Sequence, residues 1–345
     1  MHPRPRGLAP TPIHASTGGD TVSFSADDLK SNNPRSNIGK ALAYKGLTVA
    51  FVAAGGALIA YPESSIQFLF DACPAVARRA TTSTYVGGAP TLLILVLTRA
   101  LGAIHLLAAT ATFALGNAAF SARLSSDTYK RLNLGLFTWS LASFAALYTA
   151  PVALAAAAAP AVTALLATAA ALPIILGKNI LGTLPPLPQT WPIFSAINLY
   201  GSGASIALIF ALAVAYAFFV PGVLHVTYLT APLGPLGITL LRLLGAGGVL
   251  TWLVLLTQQE AARRGRLGAS TFKQLNLGLA FLSGTILELW VSSVKMGLVK
   301  WPEVPTNVLE WTVGNWLNSL SLVGLNMAFF LVVFGIYFAL TAKKK

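Results

Sequence analysis

The chain has 345 residues, 55% of them apolar and only 10% charged, with 23 Lys and Arg against 10 Asp and Glu. An ordinary globular domain carries about 25% charged residues, and a mean hydropathy of +0.71 leaves more apolar surface than one globule can bury. A soluble enzyme or binding domain is therefore excluded, and the expected solvent for most of the chain is lipid.

Residues 1–45 are polar, rich in Ser, Pro and Gly, and contain no apolar run of signal-peptide length. They are expected to form a disordered cytoplasmic arm. A helix needs about 17 to 25 apolar residues to cross a bilayer core of about 30 Å, and the chain offers eight such stretches: 46–61, 91–116, 132–149, 152–176, 193–220, 237–257, 275–294 and 317–342. The first is short, and only Ala150 and Pro151 separate the third from the fourth. The single cysteine, Cys73, excludes an intramolecular disulfide and a multi-cysteine zinc site.

Lys and Arg in short loops are retained on the cytoplasmic side. Seventeen of the 23 fall on the side that holds both termini, four on the other side (Arg78, Arg79, Lys295 and Lys300), and two, Arg99 and Arg242, inside spans. Both termini are thus expected in the cytoplasm, with Trp290, Trp301, Trp311 and Trp316 among headgroups on the far side. The net charge of +13 is accounted for by loops facing an anionic leaflet, so the expected contact is membrane lipid and not nucleic acid. The organelle is open, and the three terminal lysines tilt the reading only slightly toward an endomembrane.

An internal duplication organises the chain. Thr128-Tyr-Lys-Arg-Leu-Asn-Leu-Gly-Leu136 returns as Thr271-Phe-Lys-Gln-Leu-Asn-Leu-Gly-Leu279, seven identities in nine at an offset of 143 residues. The same offset pairs Arg99-Ala-Leu-Gly-Ala103 with Arg242-Leu-Leu-Gly-Ala246 and Arg123-Leu124 with Arg266-Leu267. Upstream, Tyr61-Pro62 and Val220-Pro221 stand 159 apart, which implies a longer first loop in the first copy. The expected fold is all-α and integral to the membrane, with eight transmembrane helices as two parallel tandem four-helix repeats. The first repeat covers 46–176, a Pro-rich cytoplasmic linker 177–192, the second repeat 193–342, and a basic tail 343–345.

Polar residues within spans are the candidates for function, because an intramembrane charge costs at least about 2.5 kcal/mol near the midplane unless paired or hydrated. Arg99 and Arg242 are repeat equivalents; Glu288 lies at a depth similar to that of Arg242; His105 lies two turns from Arg99. These four are the candidate substrate-binding residues. Asn133 and Asn276, each at the start of a span beside a glycine, read as helix-start and close-packing residues.

No zincin, nucleophile-elbow, Walker, Rossmann or EF-hand motif occurs, and no cofactor or metal is called for. Protein partners are left open. Three functions follow. The first is a carrier or permeation protein for a small solute, anionic if the arginines line its mouth. The second is a membrane-embedded biosynthetic enzyme acting on a lipophilic isoprenoid or sterol-like substrate, with Glu288 as general acid. The third is an accessory scaffold without a substrate.

Overall fold

The computed structural model describes residues 34–71, 85–86, 89–90, 92–148, 196–219 and 235–296. Seven helices make up nearly all of this: α1 (Pro34–Ala60), α2 (Pro62–Asp71), α3 (Leu92–Phe120), α4 (Asp127–Tyr148), α5 (Ala196–Phe219), α6 (Pro235–Arg263) and α7 (Ser270–Lys295). A two-residue antiparallel pair, Tyr85–Val86 with Ala89–Pro90, precedes α3. Four of the helices, α1, α3, α6 and α7, are long and apolar enough to cross a membrane. The described part is thus an all-helical, membrane-embedded bundle. The expected spans 152–176 and 317–342 and the linker 177–192 lie outside the described residues.

Residues 34–45, expected to belong to a disordered arm, are helical instead, since α1 begins at Pro34; residues 1–33 lie outside the described residues. Proline suits a first helical position because its missing N–H has no intrahelical partner there. Ala41 and Tyr44, two turns into α1, are buried, so packing as well as propensity holds this extension. The helix stops ahead of Pro62, which opens α2 with Glu63 in its first turn, where a carboxylate complements the helix dipole.

The α3–α4 and α6–α7 turns are built alike. Arg123 N–H donates to Ala118 C=O at 2.8 Å and Ala122 N–H to Ala119 C=O at 3.1 Å, while Arg266 N–H donates to Ala261 C=O at 2.8 Å and Gly265 N–H to Ala262 C=O at 3.1 Å. Each is a Schellman-type end, in which a left-handed residue satisfies the last carbonyls. That residue is Ala122 (φ 55°) in one turn and Gly265 (φ 63°) in the other. Leu124 and Leu267, one residue beyond each arginine, are both buried and anchor the turn.

Small residues let the helices approach closely. Gly55 of α1 and Gly102 of α3 face each other so tightly that a Cβ on either would lie 2.8 Å from the other's carbonyl oxygen. In the same way Gly245 of α6 abuts Val214 of α5, and Gly248 abuts Ala207 and Ala211. Thus α1 packs along α3 and α5 along α6, while α3 and α6 touch centrally. The next layer is exchanged: α4 packs mainly on α6, and α7 mainly on α3. Gly135 of α4 closes on Leu250 and Leu253 of α6, and Gly278 of α7 closes on Thr110 of α3. The leucines at the centre, Leu107, Leu132, Leu136, Leu250, Leu275 and Leu279, are each no more than 1% exposed.

Candidate functional site

Buried polar groups in an apolar bundle must find partners, because an unpaired one costs more than a typical hydrogen bond returns. Two such partnerships are alike. Tyr44 of α1 donates its hydroxyl proton to Asn133 Oδ1 of α4 at 2.6 Å, and Tyr200 of α5 donates to Asn276 Oδ1 of α7, also at 2.6 Å. All four side chains are buried. The bonds tie α1 to α4 and α5 to α7, two pairs of helices that otherwise pack weakly on each other. In both asparagines the amide Nδ2 is buried without a hydrogen-bond partner.

More polar groups gather at the same end of the bundle, around the end of α6 and the starts of α4 and α7. Gln258 and Gln259 are fully buried. Gln258 Nε2 donates to Phe272 C=O at 2.9 Å, one turn before Asn276 on α7. Gln258 Oε1 and both side-chain polar atoms of Gln259 have no hydrogen-bond partner. Arg131 on α4 is 3% exposed. Burial pushes its guanidinium pKa down, Glu260 and Asp127 oppose that, and Arg264 adds to it. Glu260 itself is paired with Arg264 at 2.6 Å. Across the start of the two layers, Tyr129 Oη and Thr271 Oγ1 share a hydrogen bond at 3.2 Å.

The four residues singled out from the sequence are dispersed. Arg99 is exposed on α3, and Arg242, 143 residues further on, is half-buried on α6. His105 is the centre of an aromatic junction of three helices, with Phe51 of α1 at a 6.0 Å centroid distance and Trp139 of α4 at 5.3 Å, both edge-on. Its Nδ1 hydrogen-bonds Leu101 C=O at 2.8 Å, so the proton sits on Nδ1 and Nε2 is left as an acceptor. Glu288 is exposed on α7 and accepts a 3.2 Å hydrogen bond from Ser292, one turn along. Its carboxylate is therefore tied within its own helix and forms no ion pair with Arg242.

The structure adds Tyr44, Tyr200, Gln258, Gln259 and Arg131 to the candidates. The tyrosines carry no mark in the sequence because they lie 156 residues apart, outside the 143-residue register that made the asparagines visible. The glutamines fall just beyond the end assigned to the sixth span, where polar residues read as interfacial. Among the described residues no group of three or more His, Cys, Asp or Glu could hold a metal ion. Neutral amides, hydroxyls and one buried guanidinium can bind and orient a polar solute; nothing in this set is arranged as a nucleophile with a base. No protein-family model matches the chain, and no curated protein matches it.

Proposed function

We propose that the protein is a carrier or permeation protein for a small polar solute, built as two parallel four-helix units with eight spans and both termini in the cytoplasm. The observation that carries this is the set of unpartnered, buried polar atoms contributed by both halves: Arg131 Nε and Asn133 Nδ2 on α4, Gln258 Oε1 and Gln259 on α6, and Asn276 Nδ2 on α7. A polar group inside a membrane bundle needs a protein partner or a polar solute, because lipid offers it neither, and these atoms have no protein partner. A scaffold has no use for them.

The tandem arrangement is supported by equivalences that go beyond sequence. At the 143-residue offset the same turn hydrogen bonds, the same tyrosine acceptors and the same glycine contacts recur. The α1 and α5 positions that pair with them are offset by 156, as in Tyr44 and Tyr200, or Leu58 and Val214, both of which face a repeated glycine or asparagine. This replaces the 159 suggested by the span-ending prolines. Reciprocal packing of α4 on α6 and α7 on α3 is what a rotation about the membrane normal would generate.

A preference for anions rested on Arg99 and Arg242 facing one path. Arg99 now stands exposed on the bundle surface, so the buried amides are the better guide to the solute. An enzyme using Glu288 as general acid needs a desolvated carboxyl near substrate, and no observation favours it. The test is reconstitution of the full chain into liposomes with stopped-flow measurement of solute entry for uncharged polar solutes and small anions. Saturable flux above that of protein-free vesicles is expected for one class. Background flux for all of them would overturn the proposal.

A further inference from the structure

Among the described residues the two halves differ where polar groups have accumulated. Thr257-Gln-Gln-Glu260 occupies the last turn of the apolar part of α6, and its counterpart at the 143-residue offset is Ala114-Leu-Gly-Asn117. Leu115 is fully buried, and a Cβ on Gly116 would meet the Lys45 stem, Tyr44 and Ala41 of α1 at ordinary contact distance. The first half therefore fills these positions with apolar packing. The second half places two carboxamides there, fully buried, beside the tyrosine–asparagine bond that both halves share.

We infer that Gln258, Gln259 and Asn276 form a binding site, present in the second half only, for a small uncharged solute of the urea or primary-amide class. Three helices converge on it. Gln258 is fixed to α7 through Phe272 C=O, and Asn276 is fixed to α5 through Tyr200. What remains unsatisfied is Asn276 Nδ2 and Gln259 Nε2 as donors, with Gln258 Oε1 and Gln259 Oε1 as acceptors. Donors and acceptors in equal measure fit a solute that carries both. An anion would meet two carbonyl oxygens and a cation two N–H groups. A carboxamide with both ends free pairs head-to-tail with another amide through two parallel hydrogen bonds, and Gln259 is such a group. The nearby charges are Glu260, held by Arg264, and Arg131 on α4, whose charge Glu260 and Asp127 offset.

The assignment deepens the carrier reading and rests on it for its consequence in transport, but the site can be tested by binding alone. The probes are acetamide, followed by saturation-transfer NMR on the full chain in nanodiscs, and urea, followed by stopped-flow flux into proteoliposomes. Glycerol and formate serve as comparators. Wild type is compared with Gln258→Leu/Gln259→Ala, which gives the second half the small apolar character of the first. Loss of acetamide signal and of urea flux, with helical content and unfolding midpoint kept, is the expected result. Equal binding in the variant would overturn the site, and stronger binding of formate than of acetamide would overturn the solute class. Glutamine-dependent acetamide binding without flux of any solute would keep the site and remove the carrier reading. If the double variant does not fold, Gln259→Glu keeps the shape and replaces a donor by an acceptor. Acetamide binding should then fall about tenfold, the factor associated with one hydrogen bond of about 1.4 kcal/mol, and an unchanged affinity would again reject the site.

Discussion

Asn133 and Asn276 stand 143 residues apart and hold the same bond, each accepting a tyrosine hydroxyl at 2.6 Å, from Tyr44 of α1 and Tyr200 of α5. The equality has an energetic consequence. Removing either hydroxyl leaves a buried asparagine oxygen unpaired, so Tyr44→Phe and Tyr200→Phe should each destabilise the protein by about 1 kcal/mol, and by similar amounts. Adding Asn133→Leu to Tyr44→Phe removes the orphaned partner and should recover part of the loss. Denaturant titration of the detergent-solubilised chain measures both; a neutral Tyr44→Phe would mean that the bond is not formed.

The helix glycines should be unequal in cost. A Cβ on Gly278 would enter the space of Thr110, and one on Gly55 the space of the Gly102 carbonyl, whereas Gly46 and Gly56 have nothing within 4 Å. Gly278→Ala is expected to cost about 1 to 3 kcal/mol through overpacking, with part restored by Thr110→Ala, which removes both side-chain atoms in the way. Gly56→Ala should be neutral or stabilising by up to about 1 kcal/mol, since alanine is the better helix former. Unfolding midpoints of the three variants decide it.

Part of the architecture was legible because the membrane imposes a length on each apolar run, and the four described helices long and apolar enough to cross a membrane, α1, α3, α6 and α7, each overlap an expected span. The sequence match at 143 residues stood out because Arg99, Asn133, Gly135 and the residues they align with are polar or small, and such residues rarely align by chance between apolar helices. The site was less so. Glu288 drew notice as an acidic residue in a span, but a charge shows its depth and not its azimuth, and the helix turns it outward. Gln258 and Gln259 escaped notice for the opposite reason: they are uncharged, and α6 continues as a helix to Arg263, which carries the apolar packing past the point where hydropathy ends the span.

The two turn residues can be exchanged. Ala122 and Gly265 adopt nearly the same left-handed backbone, at φ 55° and 63°, a conformation that costs a residue with a Cβ about 1 to 2 kcal/mol. Ala122→Gly should therefore stabilise the chain by up to about 1 kcal/mol, and Gly265→Ala should destabilise it by a similar amount. Opposite signs in thermal unfolding are expected; equal signs would mean that the two turns differ in solution.

Glu288 is the residue on which the sequence and the structure diverge most, and its variants separate the remaining readings. The carboxylate is exposed and hydrogen-bonded to Ser292 within α7. An exposed group bonded to its own helix contributes little, so Glu288→Gln should change stability by no more than about 0.5 kcal/mol. A double-mutant cycle with Arg242→Gln should show a coupling energy near zero, since no ion pair joins the two side chains. Solute flux in Glu288→Gln should equal that of the wild type, because the buried amides and not this carboxylate are assigned to the solute. A coupling of about 1 kcal/mol or more would place Arg242 and Glu288 in contact within the membrane. Loss of flux with stability unchanged would instead make Glu288 part of the pathway, and the solute site would have to extend along α7 to the far end of the bundle.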